Sequence, residues 1–318
     1  MILYTLRRLA LIVLLLWVMS VLLFAITQVL PGNVARMILG QFATADAIEA
    51  VETKLGLKDP LVVQYGRWFS NVIRGDFGQS LIMERPIGPV LSEALGRSAI
   101  LACLSFVLVA SAGILLGVIA AVRKNRPVDH AVSVFSYLGI SVPEFFWGIA
   151  FILVFARFLG WLPSAGYSPL DEGLWSWFSR LIGPTLTLTF TLIAHVSRLT
   201  RSSMLETLRS RYVLAARAKG LPERVILFRH ALRNALLPTI TVLAIDVGWL
   251  FGGIVVVETV FAFPGLGRLV AFAIERRDLP LIQATLLVIT AIYCLANLAA
   301  DLLYAALNPR IRYARRTS

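Results

Sequence analysis

With 318 residues, 58% of them hydrophobic, and a mean hydropathy of +0.80, the chain is far more apolar than a soluble globular protein, where about 45–50% is usual. A net charge of +12 would suit nucleic acid, but the basic residues are sorted into blocks between apolar runs and nothing resembles a nucleic-acid module. The only cysteines, Cys103 and Cys294, both lie in apolar runs, which excludes a disulfide framework and a Cys/His metal site.

The class that remains is an all-α integral membrane protein. Arg7 and Arg8 precede an uncharged run from Leu9 to Ala35, of which Leu9–Leu30 suffices for a first span of about 20 residues. The run is too long for the apolar core of a signal peptide, and no small-x-small cleavage site follows. Residues 1–30 are therefore the first transmembrane helix, an uncleaved anchor ending at Pro31 and Gly32. Residues 31–97 form a polar extracytoplasmic segment whose basic and acidic residues balance. Within it, Thr44–Leu55 and Pro60–Arg74 read as short amphipathic helices, with Asp59 as N-cap of the second, and GDFGQS at 75–80 reads as a turn. That segment suits either a docking surface for an extracytoplasmic partner or a packing cap over a pore mouth.

Residues 98–318 hold five more expected spans. Ser98–Val122 contains Gly113 and Gly117 at a spacing that lets helix backbones approach closely. The RKNR block at 123–126 turns the chain back. A third span runs from about Ala131 to Phe158 with Pro143 in its middle, where the proline explains a kink. An outer turn around Trp161, Pro163, Gly166 and Tyr167 leads through an amphipathic Leu174–Phe178 to a fourth span, about Leu181–Leu199. The fifth, about Ala235–Val257, carries a second glycine pair, Gly248 and Gly252; FAFPGLGRL at 261–269 is an outer loop; Leu279–Ala300 is the sixth.

Between spans four and five lies the most informative stretch, residues 200–238. Met204–Lys219 reads as one amphipathic helix, with Met204, Leu205, Leu208, Tyr212, Ala215 and Ala216 along one side. Gly220 suits a left-handed helix end, and Pro222 with Glu223 suits the first turn of the next helix. Nine Lys/Arg against two Glu between Arg198 and Arg233 keep this loop on the cytoplasmic side. By the same rule both termini are cytoplasmic: 18 of the 30 basic residues fall on the four inner segments.

AARAKGL followed by RHALRNALLP resembles the EAA loop of the membrane-spanning subunits of ATP-binding-cassette importers, in the form carried by the dipeptide/oligopeptide/nickel branch. SVPEF (141–145), LPSAGY (162–167), ETVFAFPGLG (258–267) and NPRIR (308–312) extend the resemblance along nearly the whole chain. It implies a type I importer permease whose cytoplasmic coupling helices sit in a cleft of an ATPase. Carried over, the coupling residues are Leu214, Ala215, Ala216, Lys219, Gly220 and Leu221, with Leu214 where the general motif has Glu. The implied partners are a homologous second permease, two ATP-binding-cassette ATPase subunits, an extracytoplasmic solute-binding protein and membrane lipid. The implied cargo is a di- or oligopeptide, with nickel chelates and glutathione-type solutes as alternatives.

No Lys follows a Gly, so there is no phosphate loop for ATP. No metal-ligand or nucleophile motif occurs either, so the chain carries no catalytic residue and no cofactor, and fuel is expected from partners. His130, His195 and His230 are scattered, and each reads as an interface or packing residue rather than a ligand. Asp246 and Glu144 lie at membrane depth, where charge is costly by about 2.5–3.5 kcal/mol on insertion scales. Each is either a lining residue of the translocation path or a partner to a polar group on a neighbouring helix. An ion-coupled secondary transporter would use the same two carboxylates, but six spans without an internal repeat speak against it. Glu258 and Asp301, near span ends, are expected to reach the interface.

Overall fold

The structure is a computed structural model that describes residues 2–29, 44–46, 49, 53 and 58–307, with side chains from 5–27, 44–46, 49, 53 and 58–302. Pro31–Asn33, most of Thr44–Leu55 and the closing NPRIR lie outside the described residues. Apart from one isolated bridge, Gln79 with Pro86, the described regular structure is helical.

In chain order the helices are α1 (Ile2–Val29), α2 (Leu61–Ile73), α3 (Ile87–Val122), α4 (Pro127–Ser141) and α5 (Glu144–Phe151), which widens into a π turn at Ile152–Phe158. After a short 3-10 turn, Leu170–Glu172, come α6 (Leu174–Leu208), α7 (Arg211–Ala218) and α8 (Glu223–Val225). A second π turn, Ile226–Leu232, joins α8 to α9 (Arg233–Val260); α10 (Leu266–Arg276) and α11 (Leu279–Leu307) follow. Among the described residues, four stretches are long and apolar enough to cross a membrane: Thr5–Thr27, Ile87–Val122, Glu223–Val260 and Leu279–Leu302. The pair Pro127–Ser141 and Glu144–Phe158, bent by 109°, makes a fifth if counted as one span.

That bend corrects the expected third span. Pro143 does not merely kink a helix; it separates two. Val142 is extended at φ −109°, ψ 133°, and Pro143 caps the next helix, as the clash of a proline ring with the preceding residue requires. Three other elements also differ. Leu174–Phe178 is the first turn of α6 rather than a separate segment. The second half of FAFPGLGRL is helical, because the chain turns at Phe261–Gly265 and α10 starts at Leu266. The amphipathic Met204–Lys219 is broken at Arg209–Ser210.

The chain divides into two compact units, residues 1–96 with 268–294, and residues 97–267 with 295–318. In the first unit, α2 lies along α1 through Ser20 and Tyr65, whose hydroxyls are 2.9 Å apart, and through Phe24 against Tyr65 and Trp68. Gln283 Nε2 donates to Thr27 Oγ1 at 2.7 Å, tying α11 to α1. The GDFGQS turn forms as expected: Gly75 and Gly78 have φ near +80°, which glycine adopts without steric cost, and the Asp76 carboxylate accepts from Gly78 N. At its last residue, Ser80 Oγ donates to the buried Asp278 at 2.5 Å.

The second unit is built around α6. Its buried face carries Thr185, Thr187, Thr189, Ser197 and Thr200 among Leu181, Leu188, Leu192 and Val196, so it is less apolar than the other long helices. Small residues let neighbours close on it. A methyl added to Gly113 or Gly117 of α3 would run into Val196, or into Thr200 and the Ser197 carbonyl, at 2.5–2.8 Å. Gly139 of α4 meets Ala194 in the same way. The second expected glycine pair is different, since Gly252 faces open space. Hydroxyl pairs stitch the helices, Ser136 with Ser197 at 3.0 Å and Thr200 with Thr239 at 3.2 Å. The apolar core gathers Leu101, Val109, Leu181, Leu243, Ile254, Val257 and Phe263.

Candidate functional site

The basic loop forms a compact turn of helix at the end of α6. At about 1.5 Å per residue, the 35 residues of α6 span about 50 Å, longer than a hydrocarbon core of about 30 Å. α7 hangs from the C-terminal end of α6. Ser210 breaks the helix with extended backbone, and its hydroxyl donates to the Thr207 carbonyl at 2.6 Å. A side chain that bonds its own backbone favours such a break.

The other end of α7 closes as the sequence predicts. Gly220 takes φ +73°; its N–H donates to Arg217 O at 2.9 Å, and Leu221 N donates to Ala216 O at 3.3 Å. These are the two bonds of a Schellman cap. Pro222 then caps α8, accepting from Val225 and Ile226, and Arg217 reaches over the turn to hold both Glu223 oxygens at 2.7 and 3.3 Å. Both partners are exposed, so this ion pair fixes geometry more than it adds stability.

Two small clusters anchor the element. Val213 and Ala216 pack on Ile226. Ala121, Met204, Ala231 and Ala235, with Leu205, Leu208 and Leu227 beside them, hold the ends of α3 and α6 to the second π turn. Asn234 Nδ2 donates to Tyr212 Oη at 3.0 Å, so α7 is also tied to the root of α9. Of the six expected coupling residues, Leu214, Ala215, Lys219, Gly220 and Leu221 are exposed, whereas Ala216 is buried. The two alanines thus have different jobs, and the break at Ser210 explains why: α7 points its buried side through Val213 rather than through Tyr212. What it presents outward is unusually apolar for a loop so basic, with Leu214 52% and Phe228 61% exposed beside Tyr212 and Leu221.

The two carboxylates expected at membrane depth, Asp246 and Glu144, lie in the second unit. Asp246, on α9, is almost fully buried and lies 3.5 Å from Nδ1 of His195 on α6, while its Oδ2 has no hydrogen-bond partner. Glu144 opens α5, half-buried, with its carboxylate laid against Gly253; its Oε1 is also without a partner. Asp246 and Gly253 are seven residues apart, two turns, so both carboxylates meet α9 on one side. Sequence reasoning did not connect His195 with Asp246, because 51 positions separate them.

Two of the quoted motifs, LPSAGY and ETVFAFPGLG, come together. Gly166 N of LPSAGY donates to Phe261 O of FAFPGLG at 2.8 Å, Tyr167 packs edge-on against Phe263, and the Arg97 guanidinium lies 4.9 Å over the Tyr167 ring. Glu258, expected near an interface, is instead fully buried, accepting from Ser98 Oγ and Gly267 N at 2.5 and 2.7 Å. It locks the start of α10.

Against known proteins, residues 113–313 match the family described as binding-protein-dependent transport system inner membrane component, and residues 1–89 match its N-terminal counterpart. The chain belongs to this family. It is a permease subunit of a binding-protein-dependent importer, a multi-pass component of the inner membrane. The permease is 42% identical over 310 residues to a Sinorhizobium fredii protein named "Probable peptide ABC transporter permease protein y4tP", covering 98% of this chain and 99% of that one. It is 40% identical over 310 residues to the glutathione transport system permease protein GsiC of Escherichia coli, with the same coverage. Among solved structures, inward-facing MetNI methionine ABC transporter matches with a TM-score of 0.55 at 18% identity, covering 69% of the permease and 96% of that chain. At that identity the likeness shows a shared helical fold.

Proposed function

We propose that this permease moves di- or oligopeptides, or peptide-like solutes, inward by alternating access, and that separate ATPase subunits drive it through the helix pair at 200–238. The cargo class is supported by the peptide and glutathione transport named for its relatives. The coupling reading is carried by one observation: a basic, rigidly capped element that turns Leu214, Ala215, Lys219, Gly220 and Leu221 outward while Val213 and Ala216 pin it to Ile226. A lever must be stiff, and the Schellman cap, the Tyr212–Asn234 bond and the two apolar anchors supply stiffness. Closure of an ATPase pair would push α7, and α6 would carry the push into the membrane.

In this proposal the chain has six spans with both termini cytoplasmic, α6 serving as the remaining span. Residues 1–30 are the anchor, 31–97 face outward and 98–318 form the permease core. A homologous second permease, two ATPases and an extracytoplasmic solute-binding protein complete the transporter. Asp246 and Glu144 are proposed as polar points near the path: each keeps an oxygen without a partner at membrane depth, a costly arrangement that a passing ammonium group would relieve.

Ala215→Glu tests the coupling reading, because residue 215 is exposed and its change leaves the packing of α7 intact. The expected result is loss of ATPase co-purification and of uptake with the permease still folded. Uptake that persists on an ion gradient alone would overturn it. Labelling of an introduced cysteine at 215 by an impermeant reagent from outside intact cells would overturn the topology.

A further inference from the structure

The inner face of α5 is matched to its neighbours except at two polar atoms. Glu144, Trp147, Gly148 and Phe151 recur at steps of three, one and three, one side of a helix. Gly148 closes on Thr187 and Val260, and the rings of Trp147 and Phe151 pack on Phe190 with centroids 4.3 and 5.7 Å away. The other side, Phe145, Phe146 and Ile149, is exposed. Glu144 lies on the bare backbone of Gly253, where a methyl would meet its two oxygens at 2.5 and 2.6 Å. Glu144 Oε1 and Trp147 Nε1 are both buried, and neither has a hydrogen-bond partner among the described residues.

The two atoms need opposite partners. A carboxylate accepts, whereas an indole N–H can only donate. An ammonium group would relieve Glu144 and leave Trp147 as it is; an anion would do the reverse. At this level α6 and α9 are uninterrupted helix, with backbone groups bonded internally, so they offer the pair nothing. Residues three apart on a helix have Cβ atoms about 5–6 Å apart, so one ligand with a donor and an acceptor side by side would satisfy both. An extended peptide is such a ligand. The N–H and C=O of one residue lie on the same edge, which is how two antiparallel strands exchange a pair of bonds through facing residues.

We propose that Glu144 and Trp147 form a peptide-backbone site on the translocation path, where Glu144 accepts the N–H and Trp147 donates to the C=O of one internal residue of an extended cargo. The inference rests on the peptide-cargo reading and names what α5 takes from that cargo. Both atoms are shut in here, so the site opens only as α5 and α9 separate. Because it reads main-chain atoms alone, it is blind to the cargo's side chains.

The test uses the assembled transporter in vesicles, with its ATPases and solute-binding protein. It compares uptake of trialanine or glutathione, whichever the wild type carries, with uptake of an analogue in which an ester oxygen replaces the internal residue's N–H. The wild type is expected to carry the peptide at least about threefold faster than the ester, the scale of one hydrogen bond. Glu144→Met, of similar length but without the oxygens, should slow the peptide to the ester's rate and leave the ester unchanged. Glu144→Gln, still an acceptor, should keep the preference. Trp147→Phe, which leaves a ring on Phe190, should slow both cargoes by a similar factor, since both retain the C=O. Four results would overturn the site while the peptide-cargo reading stands: no preference in the wild type, a preference that Glu144→Met leaves intact, slowing of both cargoes alike by that variant, or Trp147→Phe uptake equal to wild type. Loss of the preference in Glu144→Gln would also overturn it, because Glu144 would then be meeting a charge. A wild type that carries neither peptide would overturn the cargo reading, and the site with it.

Discussion

Arg201 holds Asp129 with two hydrogen bonds across 72 positions of sequence, Nε to Oδ1 at 2.5 Å and Nη2 to Oδ2 at 2.8 Å. The Asp129 carboxylate is 2% exposed and also accepts from Asn125 N at 2.9 Å. One pair therefore fixes three things together: the turn at the RKNR block, the first turn of α4, and α6 two turns ahead of the break that starts α7. Removing one member of such a pair leaves the other charge without compensation, at a cost of about 3 kcal/mol or more. Asp129→Asn should lower the unfolding temperature of the purified permease clearly. Arg201→Lys should also cost stability, since an ammonium cannot reproduce the two-pronged contact. Reversing both charges should recover part of the loss, as read from thermal unfolding of the single and double variants.

A matched pair of glycines separates close packing from simple presence in a helix. Gly117 lies where a methyl would meet Thr200 Cβ at 2.5 Å and the Ser197 carbonyl at 2.6 Å, and backbone cannot step aside; Gly252 has open space. Gly117→Ala should destabilise by about 1–3 kcal/mol through overpacking of α3 on α6. Gly252→Ala should be neutral or stabilising by up to about 1 kcal/mol, because alanine is the better helix former. Unfolding midpoints of the two variants side by side check this, and equal losses would show that the first contact is not limiting.

Local signals were legible in the sequence and distant ones were not. Gly220 as a left-handed helix end, GDFGQS as a turn, the close approach at Gly113 and Gly117, and the start of a helix at Glu223 all follow from what a residue and its immediate neighbours can do. The break at Ser210 was missed because Met204–Lys219 is mostly strong helix formers; Ser210, bonding the Thr207 carbonyl, favours the break, and packing of Val213 and Ala216 on Ile226 holds α7 in its new direction. Burial of Glu258 and the pairing of Asp246 with His195 depend on which helices lie side by side. No periodicity encodes that, and the hydropathy of a carboxylate near a span end suggests an interface instead. Pro143 announced a bend, but not whether the helix would survive it.

The two alanines of α7 give a third expectation. Ala216 is buried against Val213 and Ile226, while Ala215 is exposed. Ala216→Leu should overpack this small cluster, costing about 1–3 kcal/mol and raising hydrogen exchange across residues 211–226. Ala215→Leu should leave exchange unchanged and alter only what binds the exposed face. Exchange profiles of the two variants, compared with partner co-purification, distinguish an anchor from a contact residue.

The last expectation concerns Glu258 and the start of α10. Its carboxylate accepts from Ser98 Oγ at Oε1 and from Gly267 N at Oε2, and Ser98 Oγ in turn accepts from Leu266 N at 2.8 Å. A methyl on Gly265 would collide with this carboxylate, and one on Gly267 with the Val255 backbone, so both glycines are needed to bring the loop onto α9. Glu258→Ala strands two buried donors, each worth about 1–3 kcal/mol when left unsatisfied, and opens a void. Glu258→Gln keeps the volume and one acceptor, because its amide nitrogen cannot accept the second bond, so it should cost roughly half as much. The first two amides of α10, Leu266 and Gly267, should lose exchange protection in the order alanine, then glutamine, then wild type, and trypsin should cut faster after Arg268 in the same order. Unchanged protection at Leu266 in Glu258→Ala would mean that the apolar contacts of Phe261 and Phe263 hold the turn without the carboxylate.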